Sequence, residues 1–278
     1  MRHSGIRLNT DLGQHVLVDE DVLEIIVTSA NIQSDDHIVE IGPGIGILTG
    51  ELLQRAGAVT AIELDDRMIP LLKSYLRNHS TISVLSADEG SAHLTIIHGN
   101  ALQILLPEKP YKIVANIPYH ITSPLFRHAY LESSVPPTTM TLLIQREVAE
   151  KICDEEHSGM LTIMVKLFGT PELICAVAPQ SFIPPPAVDS AVLHIRSHEK
   201  PITDRPTIDQ ILRLLKIAFA GKRKMLRNTL GSMDPSSLKL RWAGNGMELL
   251  AKAGIDPTRR PETLTVEEWI HLARSTPP

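Results

Sequence analysis

The chain has 278 residues, 43% apolar and 21% charged, enough for one large domain plus a smaller one around a substantial core. No run approaches the roughly 20 apolar residues that span a bilayer, and Met1-Arg2-His3-Ser4 carries no hydrophobic signal segment, so a cytoplasmic location is expected. The net charge of −5 argues against a polyanion partner only as an average: residues 1–196 carry 13 Lys/Arg against 23 Asp/Glu, or −10, and residues 197–278 carry 14 against 9, or +5.

In chain order, Gly13 marks a turn in Leu12-Gly13-Gln14-His15-Val16-Leu17, and by itself this stretch is a polar lead-in loop. Val22, Leu23, Ile25 and Ile26 recur at helical spacing behind Asp19. A strand over 37–41 runs into Gly42-Pro43-Gly44-Ile45-Gly46, and a helix over about 47–55 follows. Glycines at such a turn let a ligand approach the backbone at the carboxyl end of a parallel strand. A dinucleotide fold is the alternative, but Ile47 stands where the third glycine of its fingerprint belongs.

The next strand, over 58–62, ends in Glu63-Leu64-Asp65, an acid about 20 residues beyond the glycines and suited to accepting both hydroxyls of a ribose. Asp65 and Asp66 are expected to open a helix over 68–77. Residues 79–93 break the pattern with Ser, Asp88, Glu89 and Gly90, as a surface insertion without chemistry would. A strand over 95–98 reaches Gly99-Asn100-Ala101 at a further strand end.

The apolar run 112–115 reads as a buried strand ending in Asn116-Ile117-Pro118-Tyr119. The exocyclic amine of adenine is a poor nucleophile, because its lone pair is delocalised into the ring. An enzyme that alkylates it needs acceptors aimed at its N–H groups, which the Asn116 side chain and the Ile117 carbonyl can supply while Tyr119 stacks on the base. In isolation, the same four residues make an ordinary turn.

A helix over 123–130, a strand over 139–144, a helix over 145–152 and an apolar stretch over 159–168 follow. Strands over 173–177 and 188–195 flank Ser181-Phe182-Ile183-Pro184-Pro185-Pro186, whose prolines should hold Phe182 rigidly outside the core. Strand and helix alternation argues for an α/β fold, a mostly parallel doubly wound sheet whose ligand edge collects Gly42, Glu63, Asn100 and Asn116. Beyond residue 197 only helices are expected, over 208–220, about 249–257 and 264–273. Lys222, Arg223, Lys224 and Arg227 within one or two turns favour phosphate contact. Cys153 and Cys175 lack ligand or disulfide spacing and read as buried thiols. No metal site is expected.

Leu12–Leu17, Val39–Gly44, Ile62–Asp65, Asn116–Tyr119, Gln145–Ala149, Phe182–Val192 and Arg223–Asn228 together, in this order, resemble the ribosomal RNA adenine N6,N6-dimethyltransferases of the KsgA/RsmA type. The resemblance implies a class I methyltransferase (Rossmann-like) fold with a small helical C-terminal domain, the boundary falling at 197/198. S-adenosyl-L-methionine is the implied methyl donor, and the implied substrate is two adjacent adenosines near the 3′ end of small-subunit rRNA. It also implies a role in subunit biogenesis and a monomeric state. Matched residue by residue, Gln14, His15, Leu17, Gly42, Gly44, Glu63, Leu64, Asn100, Ala101 and Asn116 fall on donor-contacting positions. Asn116, Tyr119 and Phe182 fall on the target-adenine site, with Phe182 opposite Tyr119, and Lys222, Arg223, Lys224 and Arg227 on the RNA-binding region.

Four departures stand out: Asn100 where the family usually has Asp, Val16 where Phe is common, Thr10-Asp11 where the family tends to be basic, and a 79–93 insertion longer than usual. Asn100 is expected to accept through its carbonyl, with weaker or reoriented donor binding. Other readings are a non-catalytic assembly factor on the same fold, a large-subunit rRNA methyltransferase conferring antibiotic resistance, and a DNA adenine methyltransferase.

Overall fold

The computed structural model describes residues 13–79, 93–221, 223–233 and 245–276. Thr10-Asp11, Leu12, most of the 79–93 insertion and Lys222 lie outside the described residues. The chain forms two compact units, Met1–Ala149 with Pro171–Ser197, and Glu150–Thr170 with His198–Pro278.

The first unit opens with β1 (Val16–Leu17), α1 (Glu20–Ser29), β2 (His37–Ile41), α2 (Ile47–Leu53), β3 (Ala58–Glu63) and α3 (Met68–His79). It continues with β4 (His93–His98), β5 (Lys112–Asn116), α4 (Thr122–Arg127), a π-helical turn (His128–Glu132), β6 (Thr139–Gln145) and the start of α5 (Arg146–Cys153). After α6 (Met160–Phe168), β7 (Gly169–Val177) leads back into it, followed by β8 (Phe182–Ile183) and β9 (Ser190–Ser197).

Among the described residues, seven strands lie in the order β4-β3-β2-β5-β6-β9-β7. β4 through β6 are mutually parallel, and β9 runs antiparallel to β6 with Gln145 opposite Ser190. The parallel strands are apolar on both faces, with Ile38, Val39, Ile113, Val114 and Ala115 inaccessible to solvent, as a sheet covered by helices requires. Parallel strands joined by crossovers deliver all their carboxyl ends to one edge. Strand order reverses between β2 and β5, where such sheets bind ligands. Gly42, Glu63, Asn100 and Asn116 therefore converge there.

β1 and β8 form a separate antiparallel pair with Leu17 opposite Phe182. Its ends are tied by Val18 N–H to the Ser181 carbonyl at 2.9 Å and by Ser181 Oγ donating to Asp19 Oδ2 at 2.7 Å. Asp19 also caps α1 by accepting from Val22 N–H. Phe182 does not stand free beside Tyr119. It is 2% exposed, in the apolar cluster with Leu17, Val177 and Val192. Side chains alternate along a strand, so pairing with β1 turns Phe182 inward and leaves Ile183 53% exposed. The prolines hold the segment but do not keep the ring out of the core.

The second unit contains α6, α7 (Arg205–Ala218), α8 (Gly246–Lys252) and α9 (Val266–Ser275). Residues 150–170 belong here rather than to a 1–197 domain, because α6 packs on α7 and α9. Trp269 is fully buried, with its ring stacked on Phe219 at 6.4 Å. Arg223, Lys224 and Arg227 are exposed but share no helical face. A 3-10 turn, Leu226–Asn228, carries this segment, held by Leu226 N–H and Arg227 N–H donating to the carbonyls of Arg259 and Pro257, each at 2.8 Å. Cys153 and Cys175 form no disulfide and are half-buried rather than buried. Among the described residues no helix is long and apolar enough to cross a membrane.

Candidate active site

A cleft opens at the carboxyl edge of the sheet. Gln14, His15 and Leu17 line it from the N-terminal strap, Gly42 and Gly44 from the turn after β2, and Glu63 and Leu64 from the end of β3. Asn100 and Ala101 follow β4, and Asn116 ends β5. All ten residues expected to contact a donor thus line one cavity. Tyr119 and Phe182 do not, although Pro118, His120 and Ile121 do.

The glycine turn is shaped for close approach. Gly44 has φ +57°, which disfavours any side chain, and a Cβ built there would meet nothing within 4 Å, so its backbone borders open cleft. Gly13, at φ +71°, lays the strap against Pro118, where a Cβ would come within 3.0 Å of the proline Cβ. The strap is tied on two sides. Gln14 Nε2 donates to Asp65 Oδ2 at 2.8 Å, and the His15 carbonyl accepts from Asn116 Nδ2 at 2.9 Å. The His15 ring Nδ1 lies 2.8 Å from the Pro184 carbonyl oxygen.

Because the His15 carbonyl can only accept, the Asn116 amide must face it with nitrogen. Asn116 Oδ1 is thereby left as an acceptor with no partner among the described residues. The Tyr119 hydroxyl lies 2.6 Å from Ser190 Oγ, and the Tyr119 and His15 rings stack at 6.3 Å and 16°. Burial raises the Tyr119 phenol above its ordinary range.

Glu63 braces the turn, with Oε2 accepting from Gly44 N–H at 3.1 Å and Oε1 from Asp65 N–H at 2.8 Å. Burial raises its pKa, opposed by those same hydrogen bonds. Asp65 does more than open α3. Arg67 grips it through Nε at 2.8 Å and a second guanidinium nitrogen at 2.6 Å, holding its carboxyl well below the usual range. Asn100 Oδ1 accepts from Leu102 N–H at 3.0 Å, so its carbonyl is engaged in the turn, while its Nδ2 has no partner among the described residues.

Sequence reasoning missed Glu40 and Asp65 as lining residues. A signal for Glu40 was present in His37-Ile38-Val39-Glu40-Ile41, a carboxylate inside an apolar strand. It is 1% exposed, accepts from Thr49 Oγ1 at 2.6 Å, and burial pushes its pKa up to about 8. Unfolded, this acid ionises near 4.5; folded, it stays protonated until about 8. Folding therefore takes up a proton between those values, and stability falls as pH rises through that window, by up to about 1.4 kcal/mol per pH unit. Glu40→Gln, which keeps an acceptor for Thr49, should remove this component. Denaturant unfolding at pH 5 and pH 8 checks it; parallel profiles for the two proteins would mean that Glu40 is ionised in the fold.

The cleft can hold a nucleoside: a buried carboxylate for ribose hydroxyls, a bare backbone turn, and amide groups for the edge of a base. Beside it sits one oriented amide oxygen with an aromatic ring nearby. Among the described residues no group of three or more His, Cys, Asp or Glu is placed to hold a metal ion.

A family sequence model described as "Ribosomal RNA adenine dimethylase" matches residues 5–272. A Ribosomal RNA small subunit methyltransferase A of Dehalococcoides mccartyi is 37% identical over 272 residues, 96% of this chain and 88% of that protein. A protein of the same name from Clostridium botulinum is 38% identical, covering 96% and 93%. Among solved structures, a dimethyladenosine transferase from Plasmodium falciparum aligns with TM-score 0.73 and 27% identity over 93% of this chain and 96% of that one. The 23S rRNA methyltransferase ErmE aligns with TM-score 0.68 and 26% identity, covering 94% and 98%. The fold is that of the class I methyltransferases.

Proposed function

The chain belongs to the ribosomal RNA adenine dimethylase family, and from that membership and the cleft we propose that it transfers methyl groups from S-adenosyl-L-methionine to N6 of adenosines in small-subunit rRNA. Two adjacent adenosines near the 3′ end are each carried to the dimethylated state. The strongest support is the Asn116 amide in the cleft lining, whose nitrogen is tied to the His15 carbonyl and whose oxygen has no partner among the described residues.

The residues fit the donor: Gly44 leaves room at the turn, Glu63 can accept two ribose hydroxyls, and Leu64 covers one face of a base. Asn100 offers a donor N–H to a ring nitrogen, reversing the polarity of an aspartate there. When bound, S-adenosyl-L-methionine would supply an electrophilic methyl carbon for the amine and a neutral thioether leaving group, the amine giving up one proton to solvent. Asn116 Oδ1 accepts from the amine N–H, which orients the nitrogen lone pair, and Tyr119 offers its ring face to the base. Such pre-set dipoles and positioning lower a barrier by several kcal/mol without a covalent nucleophile. The exposed Arg223, Lys224 and Arg227, with Lys222, supply phosphate contacts.

The assay is transfer of labelled methyl from S-adenosyl-L-methionine to small subunits lacking adenine dimethylation, with the RNA digested to nucleosides. Dimethyladenosine is the expected product. Binding to subunits without transfer would instead make the chain an assembly factor. ErmE is also similar to this chain, so large subunits serve as the comparison substrate. Labelling there in preference would shift the substrate to 23S rRNA.

A further inference from the structure

Ser190 is fully buried, at the first position of β9, and its Oγ is the one partner of the Tyr119 hydroxyl among the described residues. We propose that Ser190 is a positioning residue for methyl transfer: its hydroxyl pins the tip of Tyr119 and so fixes the plane on which the target base stacks. This rests on the reading of Asn116–Tyr119 as the target-adenine site.

Tyr119 is already held at its root. It follows Pro118 in a 3-10 turn, and its carbonyl accepts from Thr122 Oγ1 at 2.9 Å. The His15 ring stacks on one side at 6.3 Å between centroids, and the far end of the ring is held by the bond to Ser190. Ser190 can hold it because Ser190 itself cannot move: it sits opposite Gln145 in the β6/β9 ladder, and the adjacent Asp189 carbonyl accepts from Arg146 N–H at 3.0 Å. No solvent reaches Ser190, so its side chain is held by the protein alone. The pin therefore ties ring orientation to the sheet that also carries Asn116, and the acceptor oxygen and the stacking plane keep one relative geometry.

The second methyl transfer is the more demanding. A monomethylated amine is bulkier and has one N–H left, so a loosely held base turns away from Asn116 more readily. Losing the pin should slow both transfers and let monomethyladenosine accumulate, without touching the donor residues.

The test compares Ser190→Ala, Tyr119→Phe and the double variant on small subunits lacking dimethylation, reading kcat/KM, the ratio of monomethyl to dimethyl product, and S-adenosyl-L-methionine affinity by calorimetry. Each single variant should lose about tenfold in kcat/KM, raise the monomethyl share, and bind donor as the wild type does. The double variant should be no worse than either single one, because both remove the same bond. Wild-type rate and product ratio in Ser190→Ala, or losses that multiply in the double variant, overturn the role. If Ser190→Ala does not fold, Tyr119→Phe alone decides, since it keeps the ring and deletes the bond: unchanged rate and product ratio overturn the role. Asn116→Ala separates the two levels. Full transfer in that variant overturns the site reading and the Ser190 role together; loss of transfer there with wild-type behaviour in Ser190→Ala overturns only the latter.

Discussion

Asn116→Ala should lower kcat for methyl transfer by about 10²–10³-fold, the cost typical of deleting one pre-oriented polar group at a reacting centre. The size follows from how the amide is held. Its nitrogen is committed to the His15 carbonyl at 2.9 Å, so its oxygen is aimed before substrate arrives and needs no reorganisation during the reaction. Alanine removes the acceptor and leaves the His15 carbonyl without its donor, so the strap loosens and donor affinity falls modestly as well. Asn116→Asp should be no better, although it restores an acceptor: a carboxylate has no N–H for the His15 carbonyl, and two acceptors facing each other repel. Initial rates of label transfer, with donor binding measured separately, check both. A variant retaining more than half the wild-type rate removes Asn116 from the role given to it.

Glu63→Ala should weaken binding of S-adenosyl-L-methionine by about 10–100-fold, as expected for losing hydrogen bonds to a charged acceptor. Two effects add. The carboxylate that would accept the ribose hydroxyls is gone, and so is the brace that accepts from Gly44 and Asp65 N–H and sets the turn. Donor and demethylated product share the same ribose, so calorimetry should show both affinities falling by similar factors. A fall confined to the donor would place Glu63 near the sulfonium instead. Binding to small subunits, measured without donor, should be unchanged.

Much of the sheet was legible from the sequence because its strands are short, continuous apolar runs cut off by Gly, Pro and Asn. The strand expected over 37–41 is β2, and the one over 112–115 ends one residue later, at Asn116. A parallel strand inside a sheet is buried on both faces, so its signal is composition and length, which a sequence displays directly. The cleft was legible for a related reason: parallel strands joined by crossovers bring their carboxyl ends to one edge, so the residues following β2, β3, β4 and β5 had to meet.

Contacts between segments distant in sequence were not legible. Phe182 looked exposed because prolines follow it, yet whether it faces in or out depends on register with Val16–Leu17, more than 160 residues earlier. The stretch 150–170 looked continuous with the sheet, and only packing of α6 against α7 and α9 assigns it to the helical unit. The raised pKa of Glu40 arises from complete burial, and Ser190 gains its partner only through the β6/β9 ladder. Sequence by itself determined the parallel strands at the centre of the sheet and which chemical groups stand at their carboxyl ends, since these depend on local composition and chain order, but not the short β1/β8 pair or the bounds of β7 and β9. Tertiary structure alone decided which way each group faces, what holds it, and what charge it carries, because burial and long-range pairing have no local signature.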